Sequence, residues 1–111
     1  MAWKVKWTNV AWSDLEEVAN HIAKDSPYYA AAFVREARDA ARSLTNFAER
    51  GRIVPELNNQ NIHEIFVRSY RMIYQVAEGT VYIIGFIHGA RDLNTIWKQE
   101  KRSNKEKNFN S

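Results

Sequence analysis

From Ala2 to Thr8 apolar and charged positions alternate, with Trp3, Val5 and Trp7 on one side of an extended chain and Lys4 and Lys6 on the other. A period of two predicts a half-buried first strand. The period then changes. Trp12, Leu15, Ala19 and Ile22 recur at helical spacing, and Ser13 with Glu16 three residues later has the form of a capping box. The stretch "KDSPYY" ends that helix and starts another, with Ser26 as N-cap and Pro27 at the first helical position. Ala30, Phe33, Ala37, Ala40, Leu44 and Phe47 mark the apolar stripe of this long second helix, and Gly51 stands where a left-handed C-cap would close it. Arg35 and Asp39, four apart, form a solvated pair on its other side. The alanines imply close packing of the two helices as a hairpin.

Beyond Gly51 the pattern becomes loop and then strand. "GRIVPELNNQN" is rich in turn formers. "IHEIFV", "YRMIYQVA" and "TVYIIGFIH" are rich in branched and aromatic residues, and their short separators "RS" and "EG" predict an antiparallel meander. The order is β-α-α-β-β-β, an α+β domain with an N-terminal helical hairpin packed on one face of an antiparallel sheet. No internal repeat is visible. The domain is expected to span 1–97, and residues 98–111, polar and without periodicity, to form a flexible tail.

The register decides which side chains share a face. With Glu78-Gly79 as a two-residue turn, Tyr70, Met72, Tyr74, Val76, Val81, Ile83, Gly85 and Ile87 form an almost wholly apolar face. With Arg68-Ser69 as the preceding turn, Phe66 lies opposite Arg71 and Glu64 opposite Ile73. Glu64, Phe66, Arg71, Gln75, Tyr82, Phe86 and His88 are then expected together on the face away from the helices. That face interleaves aromatic rings with an arginine, a histidine and a carboxylate.

Composition narrows the classes. At 111 residues, with 45% hydrophobic and 26% charged positions, one globular domain with its own core is expected. No apolar run approaches the roughly 20 residues of a membrane span, and "MAWKVKW" lacks the apolar core of a secretory signal. The absence of cysteine excludes disulfides and thiolate metal sites and fits a reducing cytoplasm. Residues 1–61 hold eight basic and eight acidic side chains and residues 62–111 eight and five, so the net charge of +3 lies in the second half. That asymmetry suggests a polyanionic target or an acidic partner. His63 and Glu64 have no third ligand near them in sequence, which argues against a metal site. No phosphate loop, nucleophile elbow or cofactor fingerprint occurs.

The segments "GRIVPEL", "EIFVRSYRMIYQV" and "VYIIGFIHGARDL", in this order behind a helical hairpin, resemble the RelE/ParE superfamily of toxins, more closely its ParE-type branch. The resemblance covers about residues 3–97. It implies the toxin of a bacterial type II toxin–antitoxin module of the plasmid-stabilisation kind, cofactor-free and held in a heteromeric complex by a cognate antitoxin. It also implies one of two targets. ParE-like members are regarded as inhibitors of DNA gyrase without established catalytic residues. RelE-like members cut mRNA on the ribosome. In the nuclease reading Arg71, of the Tyr-Arg pair, would hold the scissile phosphate. Glu56 in "VPEL" would be the general base and His88 the general acid. Arg52 and Arg91, with Phe86 and Tyr82, would contact target or nucleic acid. Two departures favour the ParE branch: "RDLNTIW" offers Trp97 in place of a C-terminal tyrosine, and "GRIVPELNNQN" has only Arg52 where a lysine cluster would stand.

Plainer readings accompany these. His88 can be a strand-end histidine, Glu56 a brace for the loop behind Pro55, and Arg91-Asp92 a local ion pair. The chain as a whole can be a non-toxic basic binding module or a decayed toxin. A helical hairpin and a free sheet edge would offer the antitoxin a groove and a strand to extend.

Overall fold

The computed structural model describes residues 2–93; the expected tail at 98–111, the boundary at 97 and Trp97 lie outside them. In chain order come β1 (Lys4–Trp7), α1 (Asn9–Ala23), α2 (Pro27–Ser43), β2 (Arg52–Ile53), β3 (Ile62–Val67), β4 (Tyr70–Ala77) and β5 (Thr80–His88). The α+β plan is the expected one, with the two-residue strand β2 added. The sheet runs β1-β5-β4-β3-β2. Strands β2 to β5 are antiparallel to their neighbours, whereas β1 is parallel to β5, so the sheet is mixed. Among the described residues no helix is long and apolar enough to cross a membrane.

The helical hairpin covers one face. Phe33, Ala37 and Ala41 of α2 and Ala11 and Leu15 of α1 are buried against Trp7, Met72, Tyr74, Ile83 and Phe86 of the sheet. Trp7 stacks on Phe86 at 6.4 Å between ring centroids and takes Trp12 edge-on at 5.5 Å. Small alanines on α2 let its backbone approach, and the aromatic rings fill the space between the layers.

Several local expectations need correction. Helix α1 is capped five residues before Ser13: Thr8, buried at the end of β1, is its N-cap, accepting a hydrogen bond from the Ala11 N–H at 3.2 Å and donating to the Ile83 carbonyl at 3.1 Å. One hydroxyl thus caps the helix and ties it to β5, and Ser13 falls inside the helix. The cap at Ser26, with Pro27 following, stands as expected. Helix α2 ends at Ser43, where the Leu44 and Thr45 N–H groups turn to the carbonyls of Ala41 and Arg42. Phe47 is consequently exposed and off the stripe. Asp39 pairs with Arg42 at 2.9 Å, not with Arg35.

Gly51 is no helix cap. A Cβ there would run into the Glu64 carbonyl oxygen and come within 2.8 Å of the Tyr74 hydroxyl. The Gly51 N–H donates to that hydroxyl at 2.9 Å. Glycine is required for close approach of the chain to β3.

The hairpin register holds near both turns. Val76 faces Val81 across Glu78-Gly79, and Phe66 faces Arg71 across Arg68-Ser69. Arg68 adopts the left-handed region at φ 56°, braced by a bidentate pair with Glu36 at 2.9 and 2.6 Å. Further along β5 the register slips by one: Tyr74 faces Ile83, but Ile73 faces Gly85. This bulge turns Phe86 and His88 to the helix side and Ile87 to the far side, reversing the faces expected for all three.

Candidate functional site

The far face of the sheet is an apolar layer with a charged cluster set into it. Ile62, Ile73, Ile84 and Ile87 from the strands meet Val54 of the β2–β3 loop and Leu93 beyond β5, all buried, with Leu57 and Tyr82 packed beside them. The loop and the segment at Leu93 therefore roof part of the face that the sequence leaves open.

Arg71 lies at the edge of that roof and is 3% exposed. Its position on β4 puts it opposite Phe66, one residue pair from Glu64 on the same face. The guanidinium Nε donates to Glu64 Oε1 at 2.6 Å. Nη1 and Nη2 donate to the two oxygens of Glu56 at 2.7 and 2.6 Å. Nη1 also reaches the Arg91 carbonyl at 3.4 Å, and the Leu93 N–H points to Glu56 Oε2 at 3.5 Å. Glu64, fully buried, takes a second guanidinium through Arg52 Nε at 2.6 Å. Arg52 is mostly exposed and lies over the Phe66 ring at 5.7 Å. Two carboxylates and two guanidiniums thus alternate as Glu56, Arg71, Glu64 and Arg52.

This arrangement has clear electrostatic consequences. The charged hydrogen bonds from Arg71 hold the Glu56 carboxyl down at about 2, against the opposing effect of its partial burial. In return, the Glu56 carboxylate and then Glu64 push the Arg71 guanidinium further up. Burying Arg71 would be prohibitive alone; paired on both sides it is tolerated. Arg71 ties the β2–β3 loop and the Arg91–Leu93 segment to the sheet.

The chain matches the model of the ParE toxin of the parDE type II toxin–antitoxin system over residues 5–93. It belongs to this family. The toxin is 33% identical over 88 residues to toxin RelE2 of Caulobacter vibrioides, a match covering 79% of this chain and 97% of that one. A chain of the chromosomal ParDE TA system from P. aeruginosa has a similar fold, with a TM-score of 0.66 at 18% identity over 78% of this chain and 96% of that one. Membership of a type II toxin–antitoxin family implies an antitoxin partner.

Among the residues singled out from the sequence, Arg71, Glu56 and Arg52 come together in the toxin; His88, Phe86 and Arg91 gather elsewhere. The latter three line a groove of about 580 Å³ between the end of β5 and helix α1, opposite Ser13, Asp14 and Glu17. His88 is exposed, sits edge-on to Tyr70 at 5.4 Å, and its Nδ1 accepts the Ala90 N–H at 3.2 Å. Phe86 is core, and its backbone N–H donates to Asp14 Oδ2 at 3.1 Å. Tyr82 is half-buried against the second apolar cluster. Three participants escaped the sequence reading: Glu64 as the second partner of Arg71, Asp14 as the cap on β5, and Leu93 as part of the roof. Glu64 alone had a visible signal, its predicted place on the Arg71 face. The segment "HGARDL" after β5 thus serves the fold in several ways, turning at Gly89, offering the Arg91 carbonyl to Arg71 and burying Leu93.

Proposed function

We propose that this toxin arrests growth by binding and poisoning DNA gyrase, and that it does so without cutting RNA. The observation that carries this reading is the enclosure of Arg71 between Glu56 and Glu64. A phosphate-binding arginine needs donors turned toward its ligand. Here Nε, Nη1 and Nη2 all serve carboxylates of the toxin itself. A phosphodiester would have to displace Glu56 from a bidentate pair.

Two further features support it. A carboxylate held at about 2 is a weak general base at neutral pH. His88 pairs with Tyr70, and Tyr70 and Arg71 are neighbours on β4 with side chains on opposite faces. A base, a phosphate clamp and an acid on two faces of one sheet do not converge on one scissile bond. The test is gyrase supercoiling of relaxed plasmid with purified toxin. Inhibition that is reversed by antitoxin supports the reading, and undiminished supercoiling at excess toxin contradicts it.

A further inference from the structure

Strand β2 covers only part of the outer side of β3. It pairs at His63 and Glu64, so Phe66 lies past that pairing and its ring stays 52% exposed on the far face. A lone exposed ring is ordinary, but this one is held in place. Arg52 lies over its face at 5.7 Å. The turn after β5 comes against its edge: a Cβ on Gly89 would stand 3.1 Å from Phe66 Cε2, an approach that the glycine permits.

Arg52 is fixed in turn. Its Nε donates to Glu64 Oε2 at 2.6 Å, and Arg71 holds the other oxygen of that buried carboxylate at 2.6 Å. Among the described residues the two Nη groups of Arg52 have no hydrogen-bond partner, and the side chain is 61% exposed. Arg71 therefore acts here as a positioning residue: it fixes Glu64, and Glu64 fixes Arg52 over the ring.

A rigid arginine–phenylalanine couple with unspent donors suits the centre of a protein interface, where both residue types are enriched. Side chains fixed beforehand also lose less entropy on binding. The charges favour a protein over a nucleic acid. Glu56 and Glu64 cancel Arg71 and Arg52, so the cluster offers a polyanion no net attraction. One exposed guanidinium beside an apolar ring matches a single carboxylate set in an apolar surface. Strand β2, with two residues, is too short to receive an added strand, so side chains make the contact. Ile53, 48% exposed on the opposite face of the same edge, widens the apolar surface.

We infer that Arg52 and Phe66 anchor the toxin on gyrase, against a patch of that enzyme where an acidic side chain borders apolar surface. This rests on the gyrase reading above and adds the surface that carries it. The anchor lies at the β2 edge of the sheet, the far edge from β1.

The test uses whole toxin, gyrase holoenzyme and relaxed plasmid. The Arg52→Lys/Phe66→Ser variant keeps a cation for Glu64 and is expected to keep its melting temperature. It should need about tenfold or more toxin for half-inhibition of supercoiling. Unchanged inhibition by this variant overturns the anchor. A second measurement stands even if the variant melts early. The photo-cross-linker p-benzoylphenylalanine at position 66 is expected to capture a gyrase subunit, and at position 28, also exposed, to capture far less. Capture of plasmid DNA alone, of a second toxin alone or of nothing overturns the anchor, as does equal capture from both positions. Wild-type toxin that leaves supercoiling intact would instead defeat the gyrase reading itself, a failure distinct from these.

Discussion

Arg71 and Glu56 meet in a two-pronged pair, Nη1 to Oε2 at 2.7 Å and Nη2 to Oε1 at 2.6 Å, with the remaining Nε turned to Glu64. A side chain in the position expected of a phosphate clamp is thereby held as a structural tie. Its loss should first be read in stability.

Arg71→Ala leaves Glu64 buried and Glu56 half-enclosed without their shared cation. Removing one partner of a buried ion pair costs about 3–5 kcal/mol, so urea unfolding should show a loss of that order. The triple variant Arg71→Met/Glu56→Gln/Glu64→Gln, which removes all three charges, should lose less than Arg71→Ala alone. Equal or greater loss in the triple variant would refute a purely electrostatic account. Loss of toxicity in Arg71→Ala therefore carries no information about catalysis unless folding is checked.

Glu56 sets a pH dependence. Its folded-state value of about 2 lies below the ordinary 4.5, so the unfolded chain binds this proton more tightly. The contribution is complete above about pH 5 and disappears as pH falls toward about 2. Solvent around the partly exposed carboxyl screens the pair, so the contribution is smaller than the full shift would give. Glu56→Gln should flatten the stability curve in that window while leaving its slope above about pH 5 unchanged, as followed by circular dichroism.

Gly51→Ala tests a steric claim. A methyl group there meets the Glu64 carbonyl, a backbone atom that cannot rotate away. Overpacking of this kind costs about 1–3 kcal/mol, and the melting temperature should fall accordingly. A neutral substitution would mean that the β2–β3 connection shifts freely.

His88→Ala separates acid catalysis from a surface role. The imidazole is exposed and its contacts are the Ala90 N–H and the edge of Tyr70. Stability should change by less than about 1 kcal/mol, and growth arrest on induction should persist. Abolished arrest with intact folding would restore His88 as a functional group.

Much of this architecture was legible because local and global signals agree. The alternation of Trp3, Val5 and Trp7, the Ser26-Pro27 cap and the Glu78-Gly79 turn each specify one conformation, and the register near the turns follows from them. What was not legible depends on contacts distant in sequence. Thr8 outcompetes Ser13 as N-cap because its hydroxyl also reaches Ile83. The bulge in β5 arises where Phe86 finds Trp7 and Phe33, and Gly85 was its only local mark. Arg71 could be put on a face by counting residues, but its capture depends on a loop carboxylate whose position no periodicity encodes. The same holds for Leu93, which closes a roof over that face.

The most direct test of Arg71 as a closed tie is 5′-end mapping of mRNA on ribosomes after toxin induction without antitoxin. Message as intact as in the uninduced control is expected while growth stops. Cleavage at the ribosomal A site would contradict it, and would mean that Glu56 leaves Arg71 when the target binds.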